Sequence, residues 1–410
     1  MSQGKNLEIE YLRAFAIGMT LLCHVPMLLP YYDGIFASFF NVYMPWSGVD
    51  LFFCISGYIV CKSYLDYFDQ HRQQGSYAIA AQSFWLRRLY RLLPTAWLWI
   101  LIPLALSVLF NRSGAFGSWF ENLRSFAAVA TFTGNLANQY NGMLGPNAVY
   151  WSLALEEQFY FLLPFFLLCV TAFRWRVGLL LALIALQFGL DRNMFGTPTS
   201  AMLNSFRLDA MMWGVLLCLA GRTPLLRQFE PTFLGNNTWL RLAFAGVLFY
   251  LLGAIPGQLI AMPIAVGLIA IVALLLVWIA SYQQGYLYCP AVLSRPLLWL
   301  GSRSYGLYVI HICAYHASRE IWYRFAAAQG VELDKSFTPE LVVTALAIAL
   351  IASELNYRFV EEPLRRKGAR IARERLERFS GGGPVVDAPH PDTQPDAGNR
   401  TDGVNARASE

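Results

Sequence analysis

The chain has 410 residues, of which 56% are hydrophobic and only 14% charged, with a mean hydropathy of +0.42. Residues 364–410 hold 16 of the 57 charges, leaving 41 over the first 363 residues, about 11%, against roughly 25% in soluble domains. A water-soluble surface cannot be covered so sparsely, and the net charge of +5, spread as short Arg-rich clusters between apolar stretches, forms no nucleic-acid stripe.

Apolar stretches near 12–30, 46–65, 92–110, 149–171, 177–190, 200–220, 241–256, 260–281, 297–316 and 339–359 predict an all-α polytopic membrane protein with about ten transmembrane helices. No small-residue cleavage signature follows the first stretch, so it reads as a retained helix. The segment 123–148 is rich in Thr, Gly and Asn, and counting it as a span would invert every later loop. With ten spans and a cytoplasmic N-terminus, twelve basic residues fall on inner loops and six on outer ones, as the positive-inside rule requires. The segment 123–148 is therefore expected to stay on the outer side without spanning, a re-entrant turn being one form it could take. The membrane domain covers 1–363. A basic segment over 364–380, helical to Phe379, is predicted to be cytoplasmic, and the Gly/Pro/Asp-rich stretch 381–410 is predicted to be a disordered tail. Six of the seven cysteines (Cys23, Cys54, Cys61, Cys169, Cys218 and Cys313) lie in apolar stretches and Cys289 in a loop, without paired spacing, so neither a disulfide framework nor a metal site is predicted.

An ionisable group at bilayer depth costs about 2.5–3.5 kcal/mol on insertion scales, so each one needs a reason. Arg13 and His24 are 11 residues apart, which turns a helix by about 1100° and places both on one face about 16 Å apart. The pair reads either as a snorkelling anchor with an interfacial histidine or as two parts of one site. Arg87, Arg88 and Arg91 precede the third apolar stretch. Arg88 and Arg91 share a helix face that could grip a phosphate, or they serve topology alone. Glu156 and Glu157 sit inside an apolar stretch, either paired with an intramembrane cation such as Arg207 or placed to orient a histidine. Asp50, in Gly48-Val49-Asp50-Leu51-Phe52-Phe53, is near the outer interface and open to solvation. Arg207 and Asp209 are two apart and cannot pair on one helix, which sends both to partners elsewhere. His311 and His316, five apart, are off one another's face and read as packing or rim histidines. No phosphate loop, zinc helix or nucleophile elbow is present.

Taken in order, Arg13 with His24, Gly48–Phe53 with Ser56-Gly57, Arg88-x-x-Arg91, Trp151-Ser152-Leu153 with Glu156-Glu157-Gln158-Phe159-Tyr160, Tyr305-Gly306-Leu307-Tyr308 with His311, and Glu361-Glu362-Pro363 resemble membrane acyltransferase family 3. The resemblance runs from about Leu7 to Pro363. It departs from the family at Glu10-Tyr11-Leu12-Arg13-Ala14, where a D-G-L-R-G pattern is common.

The resemblance implies a ten-span transferase of the bacterial plasma (inner) membrane, both termini cytoplasmic. It would take an acyl group, acetyl first, from acyl-CoA as donor substrate, with no resident cofactor and no metal. The acceptor would be a hydroxyl of an extracytoplasmic carbohydrate or lipid-linked glycan, such as an exopolysaccharide or a lipopolysaccharide O-antigen. On this expectation Arg87, Arg88 and Arg91 hold the CoA phosphates, with Arg13 in donor binding or in shaping the passage. His24 is the general base, and Glu156 or Glu157 orients its ring. Asp50, Arg207, Asp209 and His311 are structural or accessory. The rival expectation is a secondary transporter or flippase, which also places Arg, Glu and His at depth but usually shows inverted repeats, and no resemblance between the two halves is seen here.

Overall fold

A computed structural model describes residues 6–29, 31, 34–139, 144–193, 196–235, 237–259 and 261–379. The expected tail 381–410 lies outside the described residues, which form helices and turns with no strand. The first helices are α1 (Leu7–Cys23), α2 (Val25–Leu28), α3 (Gly34–Val42), α4 (Gly48–Gln73), α5 (Tyr77–Leu109) and α6 (Trp119–Ala130). Then come α7 (Gly134–Gln139), α8 (Tyr150–Cys169), α9 (Phe173–Phe188), α10 (Pro198–Asn204), α11 (Asp209–Ala220) and α12 (Pro224–Gln228). The last six are α13 (Thr238–Ala254), α14 (Ala265–Ser281), α15 (Ala291–Ser302), α16 (Ser304–Ala328), α17 (Thr338–Asn356) and α18 (Glu362–Phe379).

Among the described residues, six helical stretches are long and apolar enough to cross a membrane: Pro45–Gln73, Tyr77–Leu109, Tyr150–Cys169, Pro198–Ala220, Thr238–Gln258 and Lys335–Phe379. The chain is thus an all-α polytopic membrane protein. Helices also occupy the other four expected stretches, but α1, α9 and α14 have only 16 or 17 residues and α16 is more polar. Two boundaries differ from the sequence expectation. The expected stretch 297–316 breaks at Arg303, where α15 ends and the longer α16 begins. Arg87–Arg91 do not precede a helix but lie inside α5, a single helix of 33 residues.

Close approach of backbones sets the centre of the bundle. A Cβ on Gly57 of α4 would lie 2.1 Å from the Met211 carbonyl oxygen, and one on Gly214 of α11 would lie 2.2 Å from that of Cys54. Only glycine allows this crossing, and lipid-phase packing favours such small residues. The start of α1 is capped by the Asn6 side chain, which accepts from the Ile9 N–H. Glu8 then ties α1 to the 285–287 turn, accepting from the N–H groups of Gly285 at 2.9 Å and Leu287 at 2.8 Å.

Among the described residues of 123–148 no helix is long enough to span: α6 has 12 residues and α7 has six. The turn between them reaches the middle of α8, where Gln158 Nε2 donates to the Phe132 carbonyl at 2.8 Å. Gln158 is about 12 Å along α8 from Tyr150, so the turn sits against the middle of that helix. Asn135 adds a bond to the Ser205 carbonyl at 2.9 Å, tying the turn to the break between α10 and α11.

At the other end of the bundle, α17 passes through a π turn over Tyr357–Glu361 into α18. The buried stripe Gly368, Ala372 and Leu376 packs α18 along the first half of α5, with Tyr90 against Gly368. The basic segment is therefore a docked helix with most of its charges turned outward, Arg365 excepted, which is largely covered and pairs with Glu362.

Candidate active site

His24 caps the end of α1, where its ring meets His311 of α16. His311 Nδ1 faces two backbone carbonyls, Tyr308 at 2.7 Å and Leu307 at 3.2 Å. Carbonyls only accept, so this nitrogen carries the proton and, in the neutral ring, Nε2 keeps its lone pair. That lone pair lies 3.1 Å from His24 Nδ1, which also sits 2.8 Å from the Thr20 carbonyl. With acceptors on both sides, His24 Nδ1 carries its proton too, which leaves His24 Nε2 as an unprotonated base. Three carbonyls thus set the tautomers of both rings.

The carboxylates occupy a different place. Glu156 Oε1 accepts from the hydroxyls of Ser56 on α4 and Tyr160 one turn further along α8. Glu157 lies within electrostatic reach of Tyr305. Neither carboxylate contacts His24 among the described residues, so the expected orienting contact falls to His311 instead. Nor does Arg207 pair with either glutamate, the other arrangement the sequence allows; its partner is Asp50.

Below the histidine pair, Ser152, Glu156 and Tyr160 repeat at four-residue spacing and form a polar line about 12 Å long on one face of α8. Ser152 shares a hydrogen bond with the Tyr308 hydroxyl, three residues from His311. At the far end, the Arg88 guanidinium lies 4.7 Å from the centre of the Tyr160 ring, with Tyr64 and Phe84 each at 5.6 Å. Arg88 is buried under these rings, while Arg87 and Arg91 on the same helix are half-buried. Ser56 and Glu156 keep partial exposure although α4 is largely enclosed by protein. Arg13 donates to Ser304 at 3.2 Å and to Glu10 at 3.4 Å, which places it beside the start of α16.

Beside this line, Arg207 pairs with Asp50 at 3.6 Å, and Asp209 pairs with Arg192 at 2.9 Å. All four side chains are 1% exposed and lie within electrostatic reach of one another. The Arg207 guanidinium stacks between Trp46 at 4.7 Å and Trp151 at 4.6 Å, the residue before Ser152. Asp50 is therefore desolvated rather than solvated. Arg192 carried no signal in the sequence, where it reads as one outer-loop charge among several. His316 packs against Phe116, ring centres 5.7 Å apart, and its ring nitrogens make no hydrogen bond to the histidine pair among the described residues.

The described residues hold no cluster of three or more His, Cys, Asp or Glu able to bind a metal ion.

Comparison with known proteins places this arrangement. The chain is 26% identical over 346 residues to the peptidoglycan O-acetyltransferase OatA of Listeria monocytogenes, which covers 78% of this chain and 51% of that protein. It is 25% identical over 356 residues to the putative peptidoglycan O-acetyltransferase YrhL of Bacillus subtilis, covering 80% and 52%. A putative O-acetyltransferase of Staphylococcus aureus matches at 25% over 349 residues, covering 78% and 53%. The chain thus spans about half the length of the curated relatives it matches. No solved structure matches it significantly. A family model described as an acyltransferase domain matches residues 6–353. With that model covering nearly the whole described bundle, the chain belongs to acyltransferase family 3.

Proposed function

We propose that this protein is a plasma-membrane O-acetyltransferase that moves an acetyl group from acetyl-CoA on the cytoplasmic face to a hydroxyl of a cell-envelope carbohydrate outside. The observation that carries this reading is the histidine pair, whose hydrogen bonds leave His24 Nε2 as a base. The acceptor hydroxyl gives its proton to that nitrogen while its oxygen attacks the thioester carbonyl. The carbon–sulfur bond breaks, and the thiolate takes the proton back, leaving an ester and the free thiol. General-base help of this kind is worth roughly 10²–10⁴ in rate. As His24 becomes charged, His311 Nε2 accepts a stronger bond from its Nδ1–H.

The polar line on α8 supports a donor passage that ends at Arg88. On this reading Arg87 and Arg91 meet the donor phosphates, Arg88 holds the aromatic wall, and Arg13 shapes the passage. Both termini then lie in the cytoplasm, and α18 flanks the donor entrance. The names of the relatives favour peptidoglycan as acceptor. Exopolysaccharide and O-antigen are the competing glycans, and mass spectrometry of envelope carbohydrate from a deletion strain separates the three.

Membranes containing the protein, incubated with labelled acetyl-CoA, are expected to place label in carbohydrate, and His24→Ala membranes are expected not to. Movement of glycan across the membrane without CoA turnover would overturn the reading in favour of a transporter or flippase.

A further inference from the structure

The Ser56–Glu156–Tyr160 group is more polar than packing requires. Two hydroxyls converge on a single carboxylate oxygen, Glu156 Oε1. Both bonds fall on Oε1, so the other oxygen, Oε2, has no hydrogen-bond partner among the described residues, and Glu156 is only half-buried. A carboxylate at this depth is costly, and a fixed one with a vacant acceptor oxygen is matched by an N–H donor that arrives and leaves. The group also has a fixed place along the passage. Glu156 stands one helical turn from Ser152, which reaches the Tyr308–His311 end, and one turn from Tyr160, which lies under Arg88. An extended arm with its thioester at His24 and its phosphates near α5 must pass this oxygen.

We infer that Glu156, held by Ser56 and Tyr160, is a donor-binding residue whose free carboxylate oxygen accepts an amide N–H from the extended arm of the acyl thioester. The inference rests on the acyltransferase reading and adds a specificity device to it: the protein would select donors that carry a secondary amide at this distance from the sulfur. A purely hydrocarbon arm offers no N–H and leaves the carboxylate unmet. Ser56 and Tyr160 are positioning residues, because they touch the carboxylate rather than the donor.

The test compares three donors on purified protein: acetyl-CoA, acetyl-pantetheine, and an alkyl acetyl thioester of similar length with no amide. For each, kcat/KM is measured with wild-type protein and with Glu156→Gln, Ser56→Ala and Tyr160→Phe. The ratio of kcat/KM for the amide donors to that for the alkyl donor is expected to fall about 10- to 100-fold in Glu156→Gln, the effect of losing a hydrogen bond to a charged group. The two positioning variants, which leave the carboxylate in place, are expected to fall about 3- to 10-fold in the same ratio. Equal loss on all three donors would overturn the inference and make the group structural. A change confined to the KM of the carbohydrate would also overturn it, by moving the oxygen to the acceptor side. Wild-type protein that transfers from none of the thioesters would overturn the acyltransferase reading itself, which separates the two failures.

Discussion

Replacing His311 by Phe keeps an aromatic ring in a buried position while removing the nitrogen that faces His24. The consequence can be worked from the distances. In the resting state His24 Nδ1–H retains the Thr20 carbonyl at 2.8 Å, so the tautomer survives and Nε2 stays a base. What is lost is the second acceptor at 3.1 Å, and it matters most when the His24 ring carries charge. A hydrogen bond to a charged group contributes about 1.5–3 kcal/mol. If the whole of it is realised in the transition state, kcat falls by about 10- to 150-fold. Donor KM should change little, because His311 stands at the acyl end of the passage and not beside Glu156 or the arginines assigned to the arm's amide and phosphates. The assay is steady-state transfer from acetyl-CoA to a soluble oligosaccharide by detergent-purified protein, with the thermal transition recorded to show that the variant is folded. A kcat within twofold of wild type, or a loss confined to KM, would refute the assignment of His311 as the group that steadies the charged ring.

Other substitutions probe the frame around the pair. Arg207→Met leaves the Asp50 carboxylate buried without its cation and should cost about 3–5 kcal/mol of stability, whereas the Asp50→Asn/Arg207→Met double variant should recover most of the loss in a thermal unfolding scan. Gly214→Val places carbon where the Cys54 carbonyl oxygen already lies 2.2 Å from the Cβ position, so the α4–α11 crossing should open and the purified protein should lose its sharp melting transition. At the start of α6, the Ser118 backbone N–H holds the Glu121 carboxyl below the ordinary carboxylate value of 4.5. A depressed folded value means that this cap is complete at neutral pH and is lost as pH falls through that value, so amide exchange in the first turn of α6 should quicken on acidification, and less so in Glu121→Gln.

Much of this arrangement could be seen in the sequence because it follows from period and cost. Sparse charge gave the membrane class, and the positive-inside count kept 123–148 from being a span, which agrees with two short helices meeting Gln158. The stripe Gly368, Ala372 and Leu376, at four-residue spacing, is a sign in the sequence that the basic segment docks as a helix. Pairings between distant helices were not legible. His24 and His311 are separated by 287 positions, and helical phase says which way a side chain points on its own helix but not which helix stands opposite. For the same reason the sequence leaves Glu156 open to a cation or a histidine, whereas its hydroxyl partners are Ser56 and Tyr160. Spacing sends Arg207 and Asp209 to partners elsewhere, Asp50 and Arg192 in the fold, but Arg192 lies outside any helix, where no periodicity marks it.

The account stands most directly on sidedness. Membrane vesicles oriented with the cytoplasmic face outward, loaded inside with a labelled-acceptor oligosaccharide and given acetyl-CoA only outside, should accumulate acetylated oligosaccharide within the lumen while free CoA appears outside, and vesicles carrying His24→Ala should fall roughly 10²–10⁴-fold behind. Acetylation that requires donor and acceptor on the same face, or a His24→Ala rate equal to that of the wild-type protein, would contradict it.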